Sequence, residues 1–204
     1  MTENAQQVEA GDWFVHAHFG AGLVKGQEVK GVGEQEQSYY ELVTAVCTLW
    51  LPEEKLFGQK IRPLANREAF QEVIELLKEP SEEMSADANK RKQRIKAVKT
   101  ANAPADTAGL VRDLWVREQA EGKLYDWERQ AWRELTANLI QEWALCLGIS
   151  GKEARQQVCQ VLADEQSVTL AGDSETNGKR ETSSLLGSVA ADEQKWSAWR
   201  AEVV

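Results

Sequence analysis

Cysteine, histidine and long apolar runs are all scarce in this 204-residue chain, and each scarcity removes a class of function. The three cysteines, Cys47, Cys146 and Cys159, are odd in number, form no CxxC pair and have no histidine at ligand spacing. That pattern argues against a disulfide framework or a zinc module and predicts reduced thiols. No stretch approaches the ~18 apolar residues of a membrane helix, and the opening MTENAQQVEAGD lacks both the basic start and the apolar core of a signal peptide. The expectation is a cytoplasmic protein with no membrane partner. There is no GxSxG, and no GK is followed by Ser or Thr, so neither a nucleophile elbow nor an ATP-binding P-loop is on offer. An enzyme is therefore not expected, nor a cofactor, nor a small-molecule substrate. Positive charge is also short, 24 Lys and Arg against 33 Asp and Glu for a net charge of -9, so any contact with nucleic acid must come from a local basic patch.

What remains is 42 % apolar and 28 % charged, the mixture of a soluble globular chain, and it divides in two. From Asp12 to Leu64 the period is close to two, with strands predicted at 12–18, 22–29, 38–44, 46–52 and 60–64 and a polar turn at KGVGEQEQ. Short strands with tight turns suggest a small twisted barrel. At Asn66, a candidate N-cap, the pattern turns helical, with Phe70, Val73, Ile74 and Leu77 on one face and Pro80 ending the run. An acidic hinge, EPSEEMSAD, leads into ANKRKQRIKAVKT, which carries Lys90, Arg91, Lys92, Arg94, Lys96 and Lys99 with no acid until Asp106. Further helices are predicted over 106–121, over 126–147 with Gly148 as C-cap, and over 151–163 behind a capping box of Ser150 and Glu153. The fold class is α+β, a small β-barrel followed by an all-helical domain. The organisation expected is 9–66 for the barrel, 67–164 for the helical domain, 165–184 for a flexible linker rich in Ser, Thr, Gly and Asp, and 185–204 for an amphipathic tail holding Trp196 and Trp199.

The run GDWFVHAHFGAGLVKG at 11–26 poses the first choice of chemistry. Gly20, Gly22 and Gly26 nearly spell GxGxxG, but the third glycine comes one residue late and no helix follows, so turn glycines are the better reading. His16 and His18 point to the same side of a strand and could share a metal, yet no third ligand lies nearby. Trp127, Trp132 and Trp143 are expected to be core, as aromatics at helical spacing usually are. Trp50, between Leu49 and Leu51, should face outward if the leucines face inward, which makes it a candidate partner anchor. The basic run is either a solvated helix face or a phosphate-facing element, and its one-sidedness favours phosphate.

Taken in order, GDWFVHAHFGAGLVKGQE, SYYELV, LWLPEEKL and IRPL, then LVRDLW, ERQAWRELTANLIQEWALCLGIS and EARQQVCQVL, resemble the CarD/CdnL family of bacterial transcription regulators over residues 9–164. The resemblance implies a Tudor-like (SH3-like) barrel that binds the β subunit of RNA polymerase, and a helical domain that contacts promoter DNA upstream of the -10 region and helps hold the open complex. On that reading Lys30 matches a basic polymerase-contacting position, Trp50 stands where members can carry Arg, and Tyr39 and Tyr40 belong to the contacting strand. Lys90, Arg91 and Arg94 fall on the DNA-facing element. The family's wedge tryptophan has no counterpart here: the matching position falls near Ala88, and Met84 is the apolar substitute. The expected function is non-enzymatic, nucleoid-associated regulation of initiation through backbone contacts that read no sequence. The alternatives are an adaptor that kept the barrel without the DNA role, and, further off, a small metal enzyme built on His16 and His18.

Overall fold

Alternation between Trp13 and Pro63 builds five antiparallel strands, β1 (Trp13–His16), β2 (Gly20–Val32), β3 (Gln35–Thr44), β4 (Thr48–Pro52) and β5 (Ile61–Pro63), in the order β4-β3-β2-β1-β5. The structure is a computed structural model and describes residues 8–32, 35–56, 60–122 and 124–169. Every strand sends a residue into one small core: Phe14, Val24, Tyr40, Leu42 and Ile61 are buried with Leu56, and Leu49 and Leu51 pack against them. The outer strands β4 and β5 thus share a core, and the sheet curls around it.

The opening run is structural. Gly20 begins β2 at φ +70°, and a Cβ there would lie 2.5 Å from the Gln141 Oε1 and 2.9 Å from the Asn138 Oδ1 of a helix packed behind it. Only glycine meets both demands. His16 holds the turn, its Nδ1 accepting the backbone N–H groups of His18 at 3.0 Å and Phe19 at 3.3 Å. The predicted turn at KGVGEQEQ is corrected: the β2–β3 ladder continues out to the Val32 and Gln35 pair, because backbone pairing in a long hairpin tolerates Gly and Gln that propensity assigns to a loop.

Five α-helices follow among the described residues: α1 (Arg67–Leu77), α2 (Ala88–Ala101), α3 (Pro104–Glu121), α4 (Asp126–Leu147) and α5 (Gly151–Thr169). Their ends obey the chemistry read above. Asn66 Oδ1 accepts the Ala69 N–H at 2.7 Å, Gly148 closes α4 at φ +68°, and Ser150 and Glu153 cap one another reciprocally at 2.9 and 3.1 Å. The segment 165–184 does not begin as a linker, since α5 runs to Thr169; the rest of it and the 185–204 tail lie outside the described residues.

The helical core is built on Trp115, Trp132 and Trp143, each almost wholly buried, each with its indole N–H satisfied, on Leu162 O, Val111 O and Gln157 Oε1 at 3.1, 3.1 and 2.8 Å. Sheet and helices are bolted together where Arg62 of β5 makes a two-pronged ion pair with Glu142 of α4 at 2.5 and 2.6 Å. Asn102, between α2 and α3, adds a hydrogen bond from its Nδ2 to Val15 O at 3.0 Å.

Candidate partner-binding and nucleic-acid surfaces

The sheet register decides which predicted anchors share a face. In an antiparallel ladder directly opposite residues lie on the same side, and neighbours in sequence on opposite sides. Trp50 is opposite Glu41, Pro52 opposite Tyr39 opposite Glu28, and Gln37 opposite Lys30. Trp50, Tyr39 and Lys30 therefore stand together on the outer face, with Glu28 and Glu41. Trp50 is 37 % exposed, and the Lys30 Nζ sits 2.9 Å from the centroid of its ring. This cation–π pair holds a flat, half-desolvated side chain in place before any partner arrives. Tyr40 is corrected: it lies on the inner face, 7 % exposed, packed with Leu42 and Phe14. Adjacent strand residues cannot both face a partner, and burial of the second ring in the small core determines which one does not.

On the helical side the basic run forms α2, and the fold divides its six cations. Arg91 is 2 % exposed. Its Nε donates to Glu128 Oε1 at 2.6 Å and its Nη1 to the carbonyls of Ser85 and Ala86, both at 2.8 Å. The other Glu128 oxygen accepts the Tyr125 N–H at 2.9 Å. Arg94, about one-third exposed, is held by the buried Asp113 at 2.5 Å and by Glu82 at 3.2 Å, and Lys99 is paired with Glu134 at 2.6 Å. Arg91 is thus not phosphate-facing, which corrects its DNA-contact expectation; Arg94 keeps about a third of its side chain exposed, but its charge is offset by Asp113 and Glu82. Arg91 and Ile95 lie one turn apart on the buried side, with Val98 half-buried another turn on; Lys92 and Lys96, also one turn apart, are exposed on one flank, and Lys90, about 200° round the helix from Lys92, is exposed on the other. Among the described residues no acid forms an ion pair with any of these three lysines. Met84 is likewise corrected: at 7 % exposure it is part of the helical core and cannot act as a wedge.

The aromatic residues that the sequence reading missed lie beside Lys92. Trp132 and Trp143 are eleven residues apart, about three whole turns, and share the buried side, whereas Trp127 is five residues from Trp132 and points well away from it. Trp127 is half-buried and stacks on the exposed ring of Tyr125, with centroids 6.1 Å apart and planes 12° from parallel. The Lys92 Nζ is 5.3 Å from the Trp127 ring, and the Arg91 guanidinium carbon is 5.6 Å from Tyr125 and 6.0 Å from Trp127. The five-residue offset was the available signal.

His16 gives little to a metal, because its Nδ1 is taken by two backbone N–H groups. Burial, then the neighbouring His18 and Lys60, holds its pKa below the ordinary value. Among the described residues no group of three His, Cys, Asp or Glu could hold a metal ion, and no helix is long and apolar enough to cross a membrane.

The family model of the CarD C-terminal domain matches residues 72–159, from within α1 to within α5, a stretch that contains the exposed lysines of α2, the buried Arg91–Glu128 pair and the tryptophan core.

Proposed function

We propose, for a chain that belongs to the CarD/CdnL family and so to a group of transcription-related proteins, a non-enzymatic regulator with two working surfaces. The outer sheet face of Lys30, Tyr39 and Trp50 docks on the RNA polymerase β subunit, and the exposed lysines on the two flanks of α2, Lys92 and Lys96 on one and Lys90 on the other, meet promoter phosphates, modulating initiation at the nucleoid in the cytoplasm. The observation that carries this reading is the exposed surface of α2: three lysines, Lys92 and Lys96 on one flank and Lys90 on the other, with no ion-pair partner among the described residues, in a chain of net charge -9. Such a surface neutralises phosphates and positions the protein without reading bases.

Magnitude separates this from a face of six cations. Log-log salt dependence runs at about -0.9 per phosphate neutralised, so three lysines give a slope near -2.7, where six basic residues would give about -5.4. Titration of the full chain against promoter DNA at several salt concentrations is expected to return the smaller slope, reduced stepwise as each lysine is changed to Ala. In parallel, Trp50→Ala is expected to weaken binding to polymerase core enzyme by at least tenfold, as loss of a half-buried aromatic anchor does. Unchanged polymerase affinity in that variant rejects the sheet-face assignment. One observation favours a second reading, an adaptor without a DNA role: the fold spends Arg91, Arg94 and Lys99 on internal ion pairs. A flat salt dependence selects the adaptor.

A further inference from the structure

Sheet and helices do not close completely on one another. Beside their junction, the β1–β2 turn at 17–19 and the β3–β4 turn at 45–47 face α4 and the last turn of α2 across a cavity of about 180 Å³, partly open to solvent. That is many times the ~10 to 15 Å³ one water needs and less than the ~300 Å³ at which drug-sized sites begin, so it suits a metabolite of a few heavy atoms. Its lining is of three kinds. Phe19, Val46 and Leu135 offer apolar surface, and Val46 is 64 % exposed. Lys99 and Glu134 form an ion pair at 2.6 Å, with side chains 25 % and 48 % exposed. Asn138 and Gln141, about one turn apart on α4, bring two half-buried carboxamides, which the bare Cα of Gly20 allows to lie against the sheet. The fold makes little use of them. Gln141 Oε1 accepts only a long hydrogen bond from the Ala21 N–H at 3.4 Å, and the Gln141 Nε2 and the Asn138 amide have no hydrogen-bond partner among the described residues.

Unused donors beside an exposed pair of opposite charges and an apolar wall have a definite complement. We propose that this seam cavity binds a small aliphatic zwitterion, the chemistry of a free α-amino acid such as leucine. Its carboxylate meets Lys99 and the unused amide N–H groups, its ammonium meets Glu134, and its side chain covers Phe19, Val46 and Leu135. An exposed ion pair costs little to open, and a zwitterion replaces one contact between opposite charges with two. A simple carboxylate gains Lys99 but leaves Glu134 facing a like charge, and a simple amine does the reverse. A zwitterion without a side chain leaves the apolar wall in water. The site is independent of the polymerase and DNA surfaces proposed above, since Lys99 and Glu134 belong to neither.

The test follows backbone amide shifts of the isotope-labelled full chain by NMR during titration with L-leucine, glycine, isocaproate and isopentylamine. L-Leucine is expected to bind saturably and to move the amides of Phe19, Val46 and Asn138 most. Glycine, isocaproate and isopentylamine are each expected to bind more weakly by roughly tenfold or more, as loss of a charged hydrogen bond or of side-chain burial predicts. Lys99→Met and Glu134→Gln, changes to a partly exposed pair that contributes little to folding, should each weaken leucine by a similar factor. Glu134→Gln should at the same time strengthen isocaproate, because the fixed like charge is gone; loss of a merely structural pair would not exchange the preferences in this way. Four results overturn the proposal: no saturable leucine binding, shifts that map away from the seam, singly charged probes that bind as well as leucine, or leucine affinity unchanged in Lys99→Met. The first of these leaves a cavity that holds water alone, and all four leave the polymerase and DNA roles standing.

Discussion

Arg91 was expected to face phosphate and instead faces a carboxylate, and Arg91→Ala distinguishes the two roles. In the folded chain the guanidinium is 2 % exposed and the Glu128 carboxylate wholly buried, joined at 2.6 Å. Removing Arg91 leaves an uncompensated buried carboxylate together with the Ser85 and Ala86 carbonyls, which lose their donor. Breaking a buried pair from one side costs about 3 to 5 kcal/mol. For a chain of this size ~1 kcal/mol moves the melting temperature by about 2 to 4 °C, so a fall of roughly 6 to 20 °C is expected in calorimetry or circular dichroism. The neighbouring Lys92→Ala, on the exposed side of the same helix, should change stability by less than about 0.5 kcal/mol. Replacing both partners, Arg91→Met with Glu128→Leu, should recover much of the loss, because the desolvation penalty of the pair disappears with its attraction. An Arg91→Ala protein that melts with its parent but binds DNA more weakly would refute the buried pair and restore Arg91 to the DNA surface.

Two further predictions follow from titration. Burial, with the Glu142 carboxylate, pushes the Cys146 thiol up to about 12, and its Sγ is 3.0 Å from Ala65 O; brief alkylation near pH 8.5 should modify Cys146 roughly a thousandfold more slowly than an ordinary thiol, read by peptide mass spectrometry. Comparable labelling would mean that this packing is not maintained in solution. His16, held below its ordinary 6.5 by burial and by His18 and Lys60, favours the neutral form in the folded state. Its contribution to stability is complete above the unfolded value and is lost as pH falls through the lower folded value. Urea midpoints should decline from about pH 6.5 downward, before the carboxylates titrate, and His16→Gln should flatten that part of the curve. A parent curve already flat there excludes the role given to His16.

Where physics is local, the sequence was a sound guide. Period-two alternation located all five strands, and Asn66, Gly148 and the Ser150–Glu153 box marked helix ends because each cap needs only residues within one turn of itself. Outward-facing Trp50 was legible for the same reason. Tyr39 and Tyr40 were separable in principle, since parity forbids both from sharing its face. Arg91 was not legible: its burial depends on Glu128, 37 residues away, and nothing in ANKRKQRIKAVKT distinguishes it from Lys90 or Lys92. Met84 lies outside any helix or strand, so no periodicity assigns it to the core. The β2–β3 hairpin outran its predicted turn because pairing across a ladder is a property of two strands and not of one.

The junction of Arg62, Asn102 and Glu142 bears on affinity at a distance. It fixes β5 to α4, and with them the offset between the outer sheet face and the basic helix. A flexible tether would let the second surface search a volume once the first had bound; a clamped one presents it at a single position, so its effective concentration is high if the polymerase holds DNA at the matching distance and near zero if it does not. On the proposed function, two surfaces held in this way behave as a caliper. If both surfaces act as proposed, the chain would select for the polymerase–promoter assembly over either component alone, and loosening the clamp would weaken that selection without altering any residue of the two proposed surfaces.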